Sequence, residues 1–109
     1  MNNPGTLNDD TLAAIVGRVV GAASPAQIIL FGSAARGQMG PNSDVDLLVV
    51  KEGEYDKWQV LDEIYRSLIG VGQAVDVIVV TPEEVERFRG THCLVIKPAL
   101  EEGRLVYGA

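Results

Sequence analysis

One cysteine and one histidine among 109 residues set the first limits on this chain. Cys93 by itself excludes an internal disulfide. With His92 the only imidazole, the usual zinc ligand sets cannot be assembled either, so His92-Cys93 reads as packing or surface rather than chemistry. Basic residues are scarce as well: nine Lys and Arg against fifteen Asp and Glu leave a net charge of −6. That is the wrong sign for gripping a phosphate backbone by charge, and general nucleic-acid binding is not expected. Apolar runs are strand-sized, far short of the roughly 20 residues of a membrane span. The opening Met-Asn-Asn-Pro-Gly-Thr lacks the basic-then-apolar layout of a signal peptide. A cytoplasmic protein without a membrane partner is expected. Neither a Walker loop nor Gly-x-Gly-x-x-Gly is present, and there are no repeats, linkers or low-complexity segments. What remains is ordinary globular composition, 47% hydrophobic and 22% charged, with the length of a single domain over 1–109.

The hydrophobic pattern alternates between helical and extended periods. Leu12, Ile15, Val16, Val19, Val20 and Ala23 recur at helical spacing after Asn8-Asp9-Asp10, residues suited to capping a helix and lying on its positive end. Residues 26–31 then predict a buried strand, 34–36 a short helical turn, 37–43 a loop and 44–51 a second strand. Trp58, Leu61, Ile64, Tyr65 and Leu68 form a helical stripe between about 54 and 69, stopped by Gly70 and Gly72, and Trp58 and Tyr65 are read as core residues. A third strand is expected over 74–80. Thr81-Pro82-Glu83-Glu84 starts another helix with a hydroxyl cap, proline at its first position and glutamate at its third. Leu94, Val95, Pro98 and Ala99 suggest one more helix closed by Gly103, with Leu105-Val106-Tyr107 as a short extended tail.

Two features of this pattern carry chemistry. Residues 28–31 run directly into Gly32-Ser33, a turn of phosphate size. Ten residues later comes Asp44-Val45-Asp46. Alternate strand residues point to one side about 6.6 Å apart, so the two carboxylates share a space while Val45 turns to the core. A carboxylate opening the apolar run Leu47-Leu48-Val49-Val50 is costly unless something pairs or ligates it. Oxygen ligands of this hardness suit magnesium or manganese, and two such ions about 3.5–4 Å apart can flank an in-line phosphoryl displacement. Asp76 falls near the start of strand three, at the same end as Asp44 and Asp46. Strand one ends at this site and strand two begins there, so they should be antiparallel. Strands two and three both begin there, and the helix between them makes them parallel with a right-handed crossover. The expected fold is α/β (α+β), a small mixed sheet packed with helices.

Gly32-Ser33, a ten-residue gap, Asp44-x-Asp46 and a third carboxylate at Asp76 resemble the nucleotidyltransferase superfamily with the DNA polymerase beta-like fold. The fuller strings Gly32-Ser33-Ala34-Ala35-Arg36-Gly37 and Ser43-Asp44-Val45-Asp46-Leu47-Leu48-Val49 are similar to its minimal nucleotidyltransferase (MNT) branch, which includes the MntA-type antitoxins of HEPN/MNT toxin-antitoxin modules. The resemblance spans nearly the whole chain. It implies that Asp44 and Asp46 hold one or two magnesium ions, that Gly32 and Ser33 contact the triphosphate of ATP or another NTP, and that Asp76 completes the metal cluster beside the acceptor hydroxyl. Arg36 either reaches the phosphates or lies solvated on a helix, and Ser43 either joins the nucleotide site or shapes the turn into its strand.

Branch members are often encoded beside a helical HEPN-type protein and transfer AMP to a tyrosine of it. Larger relatives hold their acceptor with an added helical domain, which 109 residues leave no room for. The resemblance therefore implies a protein adenylyltransferase acting on a co-encoded partner. A non-catalytic antitoxin or binding subunit is the alternative, although three unligated carboxylates aimed together would repel without return. A small-molecule transferase of the aminoglycoside type is the second alternative, disfavoured by length.

Overall fold

The computed structural model describes residues 8–32, 35, 44–89 and 102–108. Its first helix, α1 (Asp9–Ala23), starts where the side chain of Asn8 accepts hydrogen bonds from the amides of Asp10 (2.7 Å) and Thr11 (3.3 Å). Two of the orphan donors of the first turn are satisfied in this way. The helix stops at Ser24, whose left-handed backbone (φ 46°) turns its amide back to the carbonyl of Val20. Strands β1 (Gln27–Phe31) and β2 (Val45–Val50) follow and pair antiparallel, from Gln27 opposite Val50 to Phe31 opposite Asp46. Helix α2 (Lys57–Ser67) carries the chain across to β3 (Val75–Val80), which lies parallel to β2. Both expected pairings are therefore present.

Helix α3 (Pro82–Arg89) begins with the expected reciprocal cap: Thr81 Oγ1 accepts from the Glu84 amide at 3.0 Å, and a Glu84 carboxylate oxygen accepts from the Thr81 amide at 3.1 Å. The tail forms β4 (Arg104–Tyr107), which is more than an extended end: it pairs antiparallel with β1 and completes the sheet order β3-β2-β1-β4. Its register slips by one residue opposite Ile28 and Ile29, a bulge on the sheet's outer edge. The helix expected around Leu94 to Ala99 lies outside the described residues, as does most of the turn expected at 34–36. No helix among the described residues is long and apolar enough to cross a membrane.

The sheet has two apolar faces. Ile28 and Leu30 of β1, Val45, Leu47 and Val49 of β2 and Val77 and Val79 of β3 pack with Ile15, Val19 and Ala23 of α1, Val60 and Ile64 of α2 and Leu68 at the α2 C-cap. On the opposite face Leu48, Val50 and Val80 form a smaller cluster with Val85 of α3. The inward side of α2 keeps Leu61, Ile64 and Leu68 of the expected stripe but not Trp58 or Tyr65. Val60, Ile64 and Leu68 face the core at a spacing of four, whereas Trp58 stands 76% exposed and Tyr65 42% exposed. Apolar character alone does not set the rotation of a helix about its axis. Packing against α1 and the sheet together sets it, and here it buries Val60, Ile64 and Leu68.

Candidate active site

The parallel pairing of β2 and β3 decides where the carboxylates meet. Asp46 lies opposite Asp76 in register, and the amide of Val45 donates to the carbonyl of Ala74 at 2.9 Å, holding the two strand starts together. Neighbouring strands sit about 4.8 Å apart, so these two side chains rise side by side. Val45 and Leu47, on either side of Asp46, belong to the core against α1 and α2, which turns Asp46 to the other face. Asp44 precedes the strand by one residue and is exposed. All three carboxylates stand at the amino ends of β2 and β3, as the sequence predicts.

The antiparallel pairing of β1 and β2 brings in the turn. Phe31 lies opposite Asp46, so Gly32 leaves the sheet directly beside that carboxylate. Its backbone is left-handed, with φ 73°, and a Cβ there would overlap Oδ2 of Asp46 and sit 3.2 Å from its Cγ. Glycine is thus required twice over, by the backbone angle and by the approach of Asp46.

The carboxyl of Asp76 is raised above its ordinary value of 3.8. Desolvation is the largest cause even though the residue is exposed. The negative charge of Asp44 comes next, followed by a hydrogen bond between the two side chains. The two carboxylates stand close enough for each to disfavour the other's charge, so Asp44 and Asp76 mark a place short of positive charge. A hard divalent cation answers that shortage, and an all-carboxylate oxygen set fits magnesium. Among the described residues no three acidic, histidine or cysteine side chains are already drawn into a coordinating cage. Asp44 leans to Asp76 while Asp46 lies over Gly32, so the donors share one end and one face without converging on one point.

Ser33, Arg36 and Ser43, the other expected nucleotide contacts, lie outside the described residues, as do His92 and Cys93. Tyr65 adds something the sequence reading missed by placing it in the core. Its hydroxyl accepts a hydrogen bond from the amide of Val77 at 2.9 Å, on the peptide that follows Asp76. A partly buried phenol needs a polar partner, and the outward amides of the strand that carries Asp76 were the available signal.

Comparison with known proteins places the chain in a family. A candidate protein adenylyltransferase of Methanocaldococcus jannaschii is 37% identical over 82 residues, which is 74% of this chain and 77% of that protein. A bifunctional uridylyltransferase/uridylyl-removing enzyme of Novosphingobium aromaticivorans is 37% identical over 83 residues, again 74% of this chain but 9% of that much longer enzyme. Among solved structures, a mutant MntA–HpeT toxin–antitoxin complex superposes with a TM-score of 0.63 at 16% identity, covering 94% of this chain and 75% of its counterpart. A complex of a tri-AMPylated Shewanella oneidensis HEPN toxin with its MNT antitoxin gives a TM-score of 0.54 at 14% identity, covering 92% and 69%. At such identities the superpositions show a common fold. Residues 12–106 match the nucleotidyltransferase domain family, and on that match the chain belongs to this family of enzymes.

Proposed function

We propose that this chain transfers AMP from ATP to a hydroxyl of a partner protein, with magnesium, as the antitoxin of a HEPN/MNT pair. One observation carries the reading: Asp46 and Asp76 are in register, with Asp44 against Asp76 and the Gly32 turn against Asp46. This is the layout that in-line nucleotidyl transfer needs, with an anion-receiving turn facing a row of carboxylates at one end of a rigid sheet. The name of the archaeal relative and the AMPylated toxin of the Shewanella complex support protein as the acceptor and AMP as the group transferred.

In the reaction the acceptor oxygen attacks the α-phosphorus, the bond from that phosphorus to the bridging oxygen breaks, and pyrophosphate departs with that oxygen. Asp44, Asp46 and Asp76 are the residues that would hold magnesium, which supplies positive charge against the phosphates and acidifies the acceptor hydroxyl. Gly32 lets the backbone come close to the triphosphate, with Ser33, Arg36 and Ser43 as its further contacts. Asp76, exposed at the start of its strand, takes the acceptor's proton directly or fixes the metal that acidifies that hydroxyl. Among the described residues Asp76 lies at the start of an edge strand, an end of the sheet that a second macromolecule can approach.

Co-expression of the chain with the protein encoded beside it, followed by intact-mass measurement of that partner, tests the proposal. One or more AMP groups on the partner are expected with wild type and none with Asp76→Asn. An unmodified partner in a stable complex would leave neutralisation by binding alone.

A further inference from the structure

Asp76 occupies an awkward place for a residue that must be held to within a fraction of an ångström. It is the second residue of β3, the edge strand of the sheet, so ladder pairing to β2 fixes it from one side only. The amides of Val45 and Lys51 donate to the carbonyls of Ala74 and Val80, both at 2.9 Å. Because backbone direction alternates along a strand, the even-numbered residues of β3 address β2, while Val75, Val77 and Val79 turn their amides to the open edge. There the amide of Val77 meets the hydroxyl of Tyr65. Tyr65 is placed by a helix end that is itself tied down: the guanidinium of Arg18 on α1 donates to the carbonyls of Ser67 at 3.0 Å and Ile69 at 2.9 Å. Ser67 Oγ also donates to the carbonyl of Ile64 at 2.6 Å.

Resting on the function proposed above, we infer that Tyr65 is a positioning residue for nucleotidyl transfer, its hydroxyl clamping the Asp76–Val77 peptide from the open edge of the sheet. The ladder to β2 and the phenol then grip β3 from opposite sides immediately after the carboxylate. Among the described residues no further strand pairs with β3 on that side, and the Tyr65 hydroxyl supplies the hold that a neighbouring strand would give. The side chain does not enter the site: it sits on α2, across the sheet from the carboxylates. Its effect should therefore fall on the transfer step more than on nucleotide capture.

Tyr65→Phe removes the hydroxyl and keeps the ring, and three readouts decide the matter. Transfer of labelled AMP to the co-encoded partner should fall roughly 10-fold in kcat, since displacement by even 1 Å can cost more than that, with the KM for ATP changed less than about twofold. Hydrogen exchange at the Val77 amide should accelerate about tenfold or more while that of Val79 does not, a change that general loosening of the fold would not single out. O-methyltyrosine at position 65, which retains an acceptor oxygen, should restore slow exchange and most of the activity. Unchanged kcat, or reduced kcat with unchanged Val77 exchange, overturns the inference while leaving the transferase reading intact. A Val77 amide that exchanges as fast as a loop amide in the wild type overturns it with no variant at all. A wild-type chain that transfers no AMP under any condition overturns both.

Discussion

Gly32 and Asp46 occupy each other's space: the carboxylate of Asp46 lies where a side chain at position 32 would be. The contact arises from the antiparallel register that sets Phe31 opposite Asp46, combined with a left-handed turn at the next residue. Gly32→Ala must therefore adopt an unfavourable backbone angle and also displace Asp46. A loss of about 1–2 kcal/mol in stability from the backbone is expected. Transfer activity should drop further than that loss implies, because Asp46 is moved. Chemical denaturation and AMP transfer measured on the same preparation check this, and full activity in a destabilised variant would refute the link to Asp46.

Asp44→Asn and Asp46→Asn preserve volume while removing charge from a crowded end of the sheet. Transfer should fall at least about 10²-fold, the scale of losing one preorganised electrostatic contact. The fold without metal should be as stable as the parent or more so, since neither residue is buried and each loses a like-charged neighbour. Melting temperatures beside transfer rates test this. Variants that unfold instead would make these aspartates structural partners of something else.

Much of this architecture was legible in the sequence, for identifiable reasons. Asn8 and the Thr81-Pro82-x-Glu84 box mark helix starts by local hydrogen bonding, which needs no tertiary information. Asp44, Asp46 and Asp76 could be brought to one end because strand direction follows from connection length. Three features were not legible. The pairing of Leu105 with Ile29 joins distant parts of the chain, and no short-range signal separates such a strand from a loose tail. The burial of Val60 in place of Trp58 depends on how the helix meets α1 and the sheet, which is tertiary information. The contact of Gly32 with Asp46 depends on register, which a turn motif alone does not encode.

The rotation of α2 gives a direct test. Trp58 is the largest side chain on that helix and would be costly to remove were it core, at about 3–5 kcal/mol. Exposed as it is, Trp58→Ser should change stability by no more than about 0.5 kcal/mol. Ile64→Ala, at a fully buried position, should cost about 2–5 kcal/mol. Urea unfolding of the two variants distinguishes the orientations, and a larger loss at Trp58 would mean that α2 is turned the other way.

The raised pKa of Asp76 fixes the sign of a pH effect. Its carboxyl is held above the ordinary 3.8 by desolvation and then by Asp44, so folding disfavours its charged form. A group whose folded pKa exceeds its unfolded one contributes stability that is fully present below the unfolded value and is lost as pH rises through the folded value. Without magnesium, Asp76→Asn should therefore melt above the wild type at neutral pH. That advantage should shrink on acidification and vanish below about pH 3.8, where the wild-type carboxyl is neutral in both states. Magnesium with ATP should raise the melting temperature of the wild type more than that of the variant, because ligation relieves a repulsion that the variant no longer has. Thermal unfolding across pH 3–8, with and without magnesium and nucleotide, measures both effects. An advantage for the variant that persists undiminished at low pH would show that repulsion at Asp76 is not its source, and an equal response to magnesium would remove Asp76 from the metal site.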